Sequence, residues 1–156
     1  MFPVQTRHVP AYRVMSVQQR LHAHETDGFV QRVKAAFADH LAGVPPTGPF
    51  QLIFHGVVSE ESDGPIEAIL GCPDGLPPTD LIGIRTEPAH EEAYTTITKA
   101  QWAYPAILAA YDAVACSPEV RARPGSRLSC REVYLARPQD VGMDEPLCDV
   151  AFPLGD

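Results

Sequence analysis

Leu128-Ser-Cys-Arg-Glu-Val-Tyr-Leu135 reads as a strand with a carboxylate at its centre. Alternation places Cys130, Glu132 and Tyr134 on one face, with Ser129, Arg131, Val133 and Leu135 on the other. Glu is a poor strand former, so a Glu beside a Tyr in such a run needs a reason. Two reasons are open. On a half-exposed sheet, Glu132 would sit on the solvated face and pair with a nearby Arg. At the floor of an aromatic pocket it would instead neutralise a cationic ligand, because a half-buried carboxylate is costly unless something positive or hydrogen-bonding compensates it.

The elements on either side of this strand favour the pocket, because their order repeats. Tyr12–Ala23 alternates as a strand, and Thr26 or Asp27 can cap a helix. Phe29, Val33, Ala36, Phe37, His40 and Leu41 supply its buried stripe, and Gly43 with Pro45-Pro46 stops it. Phe50–Val58 and Pro65–Cys72 form a hairpin around the turn Glu60–Gly64, and Pro73–Asp80 is a turn-rich connection. The second half runs the same way. Glu92–Thr98 is a β-prone run, and a helix is expected over Gln101–Cys116, striped by Tyr104, Ile107, Leu108, Tyr111 and Val114. Leu128–Leu135 and Leu147–Leu154 then make a second hairpin about the polar loop Arg137–Glu145.

The expected fold is therefore α+β. Two pseudo-symmetric β-α-β-β modules, about 12–73 and 90–154, form antiparallel sheet with a helix on each and a pocket near the pseudo-twofold axis. Leu52 and Phe54 correspond to Glu132 and Tyr134, while Glu67 corresponds to Asp149. Glu132 is the odd member, since its counterpart is apolar.

Composition limits the functions available. The 156 residues, 45% hydrophobic and 21% charged, suit one globular domain spanning 1–156. A net charge of −8 with no basic cluster argues against direct nucleic-acid binding. Met1–Pro10 lacks the apolar core of a signal peptide, and no run approaches the ~20 apolar residues of a membrane span, so a cytoplasmic protein is expected. Cys72, Cys116, Cys130 and Cys148 show no C-x-x-C spacing and read as buried free thiols. His22 and His24 lack further ligands at metal spacing and read as surface residues; neither a metal nor another cofactor is expected.

Several stretches together resemble the GyrI-like small-molecule-binding domains, also met as effector domains of MerR-type and AraC-type regulators. They are Phe54–Glu67, Arg85–Tyr94, Ile97–Gln101, Tyr104–Asp112, Arg131–Tyr134 and Cys148–Pro153, so the resemblance runs from about Tyr12 to Leu154. It implies paired strand–helix–strand–strand modules enclosing a pocket for lipophilic, often planar and cationic compounds. Glu132 stands where relatives carry a Glu in the penultimate strand that pairs with the ligand cation. The stacking role falls to Tyr134 and Phe54, with Trp102, Tyr94 and Tyr104 as further candidates and Leu52 beside them. Each of these aromatic residues could equally be core.

Three functions compete at this point. One is a multidrug-binding or sensing module, either stand-alone or the effector part of a regulator. A second is a hydrolase of strained, reactive small molecules, with Glu132 as general base and Tyr134 as partner; Asp149 on the neighbouring strand would be its second carboxylate or else a surface charge. The third is interaction with gyrase, which the family name suggests. About eleven residues precede the first expected strand, too few for a helix-turn-helix. His55, beside Phe54, is expected to face the helix or solvent as a structural residue. The natural ligand and oligomeric state are not legible.

Overall fold

The computed structural model describes Met1–Asp156. The chain is α+β and divides into two compact units, Ala11–Pro88 and a second made of Met1–Pro10 with Ala89–Asp156. The strands are β1 (Gln5–Val9), β2 (Tyr12–Leu21), β3 (Phe50–Phe54), β4 (Gly64–Gly71), β5 (Gly83–Glu87), β6 (His90–Thr98), β7 (Arg131–Tyr134) and β8 (Pro146–Pro153). The helices are α1 (Thr26–Leu41), α2 (Lys99–Trp102), α3 (Ile107–Ala115) and α4 (Pro118–Ala122). No helix is long and apolar enough to cross a membrane.

In the unit Ala11–Pro88 the strand order is β3-β4-β2-β5, with every pairing antiparallel. Phe29, Val33, Phe37 and Leu41 recur at four-residue spacing and give α1 its buried stripe. The Phe37 ring meets Phe50 at 6.4 Å, so α1 lies on the face that carries Phe50, Leu52 and Phe54. Val14, Ile53 and Ile69 pack with Tyr12 on the opposite face. The helix stops where expected. Ala42 adopts a left-handed conformation (φ 50°) while its N–H donates to the Ala38 carbonyl, and Gly43 follows at φ 89°. Its start differs from expectation. Neither Thr26 nor Asp27 caps it; the chain enters through a 3-10 turn in which the His22 N–H donates to the Glu25 carboxylate.

The β3 strand ends at Phe54 rather than Val58, and the loop that follows closes onto Gly64. A Cβ there would lie 2.2 Å from the Val57 carbonyl oxygen. Gly64→Ala should therefore cost about 1–3 kcal/mol, seen as a lower urea midpoint at unchanged slope. An unshifted midpoint would mean that the loop gives way freely.

In the second unit the order is β1-β6-β8-β7, again antiparallel. Ile107 and Ala110 of α3 pack on Ile97, Leu147, Cys148 and Val150. The single helix expected over Gln101–Cys116 is in fact broken. Thr98 caps α2 reciprocally with Gln101, and the chain leaves helical geometry at Ala103. Pro105 disfavours a helical residue before it, so α3 begins only at Ile107. Ser117-Pro118, expected to end a helix, starts α4, with Ser117 as its cap.

The repeat extends further than its sequence suggests. Leu52 faces Ala68 and Ile53 faces Glu67; likewise Glu132 faces Val150 and Val133 faces Asp149. The correspondences of Leu52 with Glu132 and of Glu67 with Asp149 are thus matching registers. The shift that maps Tyr12 onto His90 also maps Gln5–Val9 onto Gly83–Glu87. These edge strands were not expected, since the first strand was placed at Tyr12. Each precedes one repeat in the chain but pairs in the other: β1 with β6, and β5 with β2.

Arg7 and Arg85 hold equivalent places on these edge strands, across from Glu92 and Val14. Arg7 donates to Asp149 at 2.7 Å and pairs with Glu92 at 2.7 Å. Arg85 donates to Glu67 and to Glu87, both at 2.9 Å. Each arginine therefore ties an edge strand to the acid of β4 or β8 on the face away from the helix. Glu67 also accepts from Ser16, and its other oxygen meets His55 at 2.8 Å. His55 accordingly sits over the helix-free face rather than toward α1.

Candidate functional site

Glu132 lies on the α3 side of β7, because it faces Val150, which packs under that helix. It is only 6% exposed. The Ile107–Ala110–Val114 stripe seats α3 on the sheet and leaves Tyr111 at its margin, above β7. The Tyr111 hydroxyl donates to Glu132 Oε2 at 2.6 Å, and the Tyr134 hydroxyl donates to Glu132 Oε1 at 2.6 Å. Trp102 of α2 completes the chain by donating its indole N–H to the Tyr134 oxygen at 3.2 Å. The rings are set edge to face. Trp102 meets Tyr134 at 6.4 Å and 87°, and Tyr111 meets Phe152 at 6.1 Å and 74°.

No cationic side chain pairs with this carboxylate. Burial raises the Glu132 carboxyl above its ordinary range, while the hydrogen bonds from Tyr111, Tyr134 and Trp102 pull it down without cancelling the effect. The same burial, reinforced by the Glu132 charge, holds the Tyr111 and Tyr134 phenols well above theirs. Burial and Glu132 also push up the thiols of Cys130 and Cys148. Tyr111, Tyr134, Cys130 and Cys148 are thus neutral around a single acid.

Comparison with family profiles and with curated proteins finds no match. Solved structures do match. The C-terminal domain of EcmrR superposes with a TM-score of 0.81 at 14% identity, over 99% of this chain and 98% of that domain. A hydrolase from Listeria innocua gives 0.67 at 12%, over 97% of this chain and 91% of that one. SAV2435 bound to tetraphenylphosphonium gives 0.60 at 14%, over 97% and 93%. The fold is GyrI-like. In the structure of an EcmrR–DNA complex, the matched chain is longer, and this chain spans 57% of it.

Six of the nominated residues, Glu132, Tyr134, Trp102, Tyr94, Tyr104 and Asp149, belong to the unit made of Met1–Pro10 with Ala89–Asp156. Glu132, Tyr134 and Trp102 come together. Leu52 and Phe54 lie on the helix-bearing face of β3 in the other unit, where Leu52 is buried and Phe54 half-buried. Tyr94 is on the opposite face of β6 from Glu132's partners; its hydroxyl donates to Gln5, and the Arg7 guanidinium sits 3.9 Å over its ring. Tyr104 is 79% exposed, in the break between α2 and α3, and not on a buried stripe. Asp149 is neither a surface charge nor a second carboxylate for Glu132. It faces away from α3, buried, and holds Arg7 and the Thr96 hydroxyl.

Tyr111 is the residue that sequence reading missed as a site member, having placed it in the helix stripe as core. The available signal was its hydroxyl, since a tyrosine on a buried stripe needs a polar partner. The thiols also differ in part from expectation: all four are free, but Cys116 is exposed and Cys130 only half-buried. No group of three His, Cys, Asp or Glu side chains is placed to hold a metal ion.

Proposed function

We propose that this GyrI-like domain binds lipophilic organic cations at Glu132, as a drug-binding protein or as the effector-binding part of a regulator. One observation carries the reading. The buried carboxylates Glu67, Glu87, Glu92 and Asp149 each lie against an arginine, whereas Glu132 has only phenols. A buried acid without a counter-charge is an electrostatic vacancy that a cation fills, and aromatic rings beside it add roughly 0.5–2 kcal/mol each. The tetraphenylphosphonium bound by SAV2435 is a ligand of this class. EcmrR supplies the precedent for such a fold as a C-terminal domain.

The test is a titration of the chain with tetraphenylphosphonium and with a neutral aromatic compound of the same size. Emission from Trp102, the chain's one tryptophan, is the readout, because its N–H belongs to the Glu132 network. Saturable binding of the cation, about tenfold or more tighter than the neutral compound, is expected; each tenfold is about 1.4 kcal/mol. Equal affinity for both, or no saturation, would refute the reading.

The hydrolase alternative has its own support in the raised Glu132 carboxyl, which suits a general acid–base, and in the fold shared with a hydrolase from Listeria innocua. Turnover of a strained electrophile that is lost in Glu132→Gln would favour it.

A further inference from the structure

We propose that Glu132 carries a proton while the site is empty, and that a permanent cation binds by displacing it, so that binding exchanges one proton for one cation. The inference rests on the cation-binding reading above and adds how the site is regulated.

The geometry argues for it through the groups of the same unit that meet Glu132. Tyr111 faces it from α3; Cys130 and Tyr134 come from its own strand segment; Cys148 lies on β8; Trp102 closes the set from α2. None of these groups is a cation at any pH. An ionised carboxylate in their midst would have two phenolic hydrogen bonds as its compensation. Removing the ion from water works against that, and burial is the larger effect at Glu132. The neutral acid avoids most of the desolvation and keeps both contacts. At 2.6 Å on each oxygen, the carboxyl O–H can donate to one phenol oxygen while the other phenol donates to the carbonyl. The upward displacement of the Glu132 carboxyl agrees in direction.

A permanent cation changes the balance because it supplies the counter-charge that Arg7 and Arg85 supply to the other buried acids. The exchange balances simply. The carboxyl O–H bond breaks, its electron pair stays on Glu132, the proton passes to buffer, and the cation takes its place. The site carries no net charge before or after, so the desolvation of a bare carboxylate is never met.

Isothermal titration with tetraphenylphosphonium, in buffers of differing ionisation enthalpy and across pH, reads the exchanged proton directly. The free chain labelled with carboxyl-13C glutamate reports the Glu132 protonation state without ligand. Three results are expected together: a Glu132 titration above that of free glutamate, close to one proton released below that midpoint, and affinity rising about tenfold per pH unit there. Glu132→Gln should release none. Cation binding that is independent of buffer and pH, or a Glu132 titration at the ordinary value, would overturn the exchange and leave the cation site standing. Failure of the cation to bind at any pH would overturn both.

Discussion

Arg7→Ala should destabilise the chain by about 3 kcal/mol, the lower end of the range for breaking a buried ion pair, because Arg7 is itself 30% exposed. At this chain length that corresponds to a fall of roughly 6–12 °C in Tm. The cause is what the substitution leaves behind. Glu92 and Asp149 stay buried, and their remaining partners are His90 for Glu92 and the Thr96 hydroxyl for Asp149. The edge strand β1 also loses its link across β6 to β8. Burial works to raise the Glu92 carboxyl, but His90 and Arg7 together hold it below its ordinary value. The stability from such a depressed acid is present above about pH 4.5 and lost as pH falls through the folded value. The difference between wild type and Arg7→Ala should therefore shrink in acid. Thermal melts at pH 7 and pH 3 check both statements; a change under about 1 kcal/mol at pH 7 would mean that Asp149 and Glu92 find other partners.

Glu132→Gln should act in opposite directions on binding and on stability. Affinity for a lipophilic cation should fall about tenfold or more, since the counter-charge is gone, while affinity for a neutral aromatic compound stays within about twofold. Stability should rise at neutral pH. A carboxyl displaced upward on folding contributes stability that is fully present below its unfolded value of 4.5 and is lost as pH rises through its folded value. Glutamine has no such loss, so the variant gains on wild type from about pH 4.5 upward, at about 2–4 °C of Tm per kcal/mol. Wild type more stable than the variant at pH 8 would show that the ionised carboxylate is well compensated by Tyr111 and Tyr134. Opposed trends at one residue are the signature of a site held ready for a ligand rather than for the fold.

How much of this was legible follows from the kind of signal each element carries. The α1 stripe, the two hairpins and the Leu52–Glu132 correspondence were readable because period and register are written directly in hydrophobic spacing. The edge strands were not. Gln5–Val9 and Gly83–Glu87 are short and mostly polar, as edge strands tend to be, so they lack the apolar alternation that announces a strand. The helix break at Ala103–Ala106 turned on Pro105 and on the cap at Thr98, and a regular stripe of Tyr104, Ile107, Leu108 and Tyr111 concealed both. At the site, Glu132 and Tyr134 were readable as neighbours on one strand face. Tyr111 was not, since its meeting with Glu132 depends on where α3 docks over β7, and no local pattern encodes that. Asp149 shows the converse. Its strand was placed correctly, but its partner is an arginine from a strand more than a hundred residues earlier.

The exchanged edge strands bear on how the chain is made. During synthesis β1 emerges before the other seven strands, yet the strand that completes its hydrogen bonds, β6, follows only after Ala11–Pro88 has left the ribosome. At about 5–20 residues per second, that is a delay of roughly 4–16 s. For that interval the unit Ala11–Pro88 has all its own strands in hand as soon as β5 appears, while Gln5–Val9 trails as an unpaired ribbon. Its polar character then has a second use: it keeps the waiting segment from recruiting a neighbouring nascent chain.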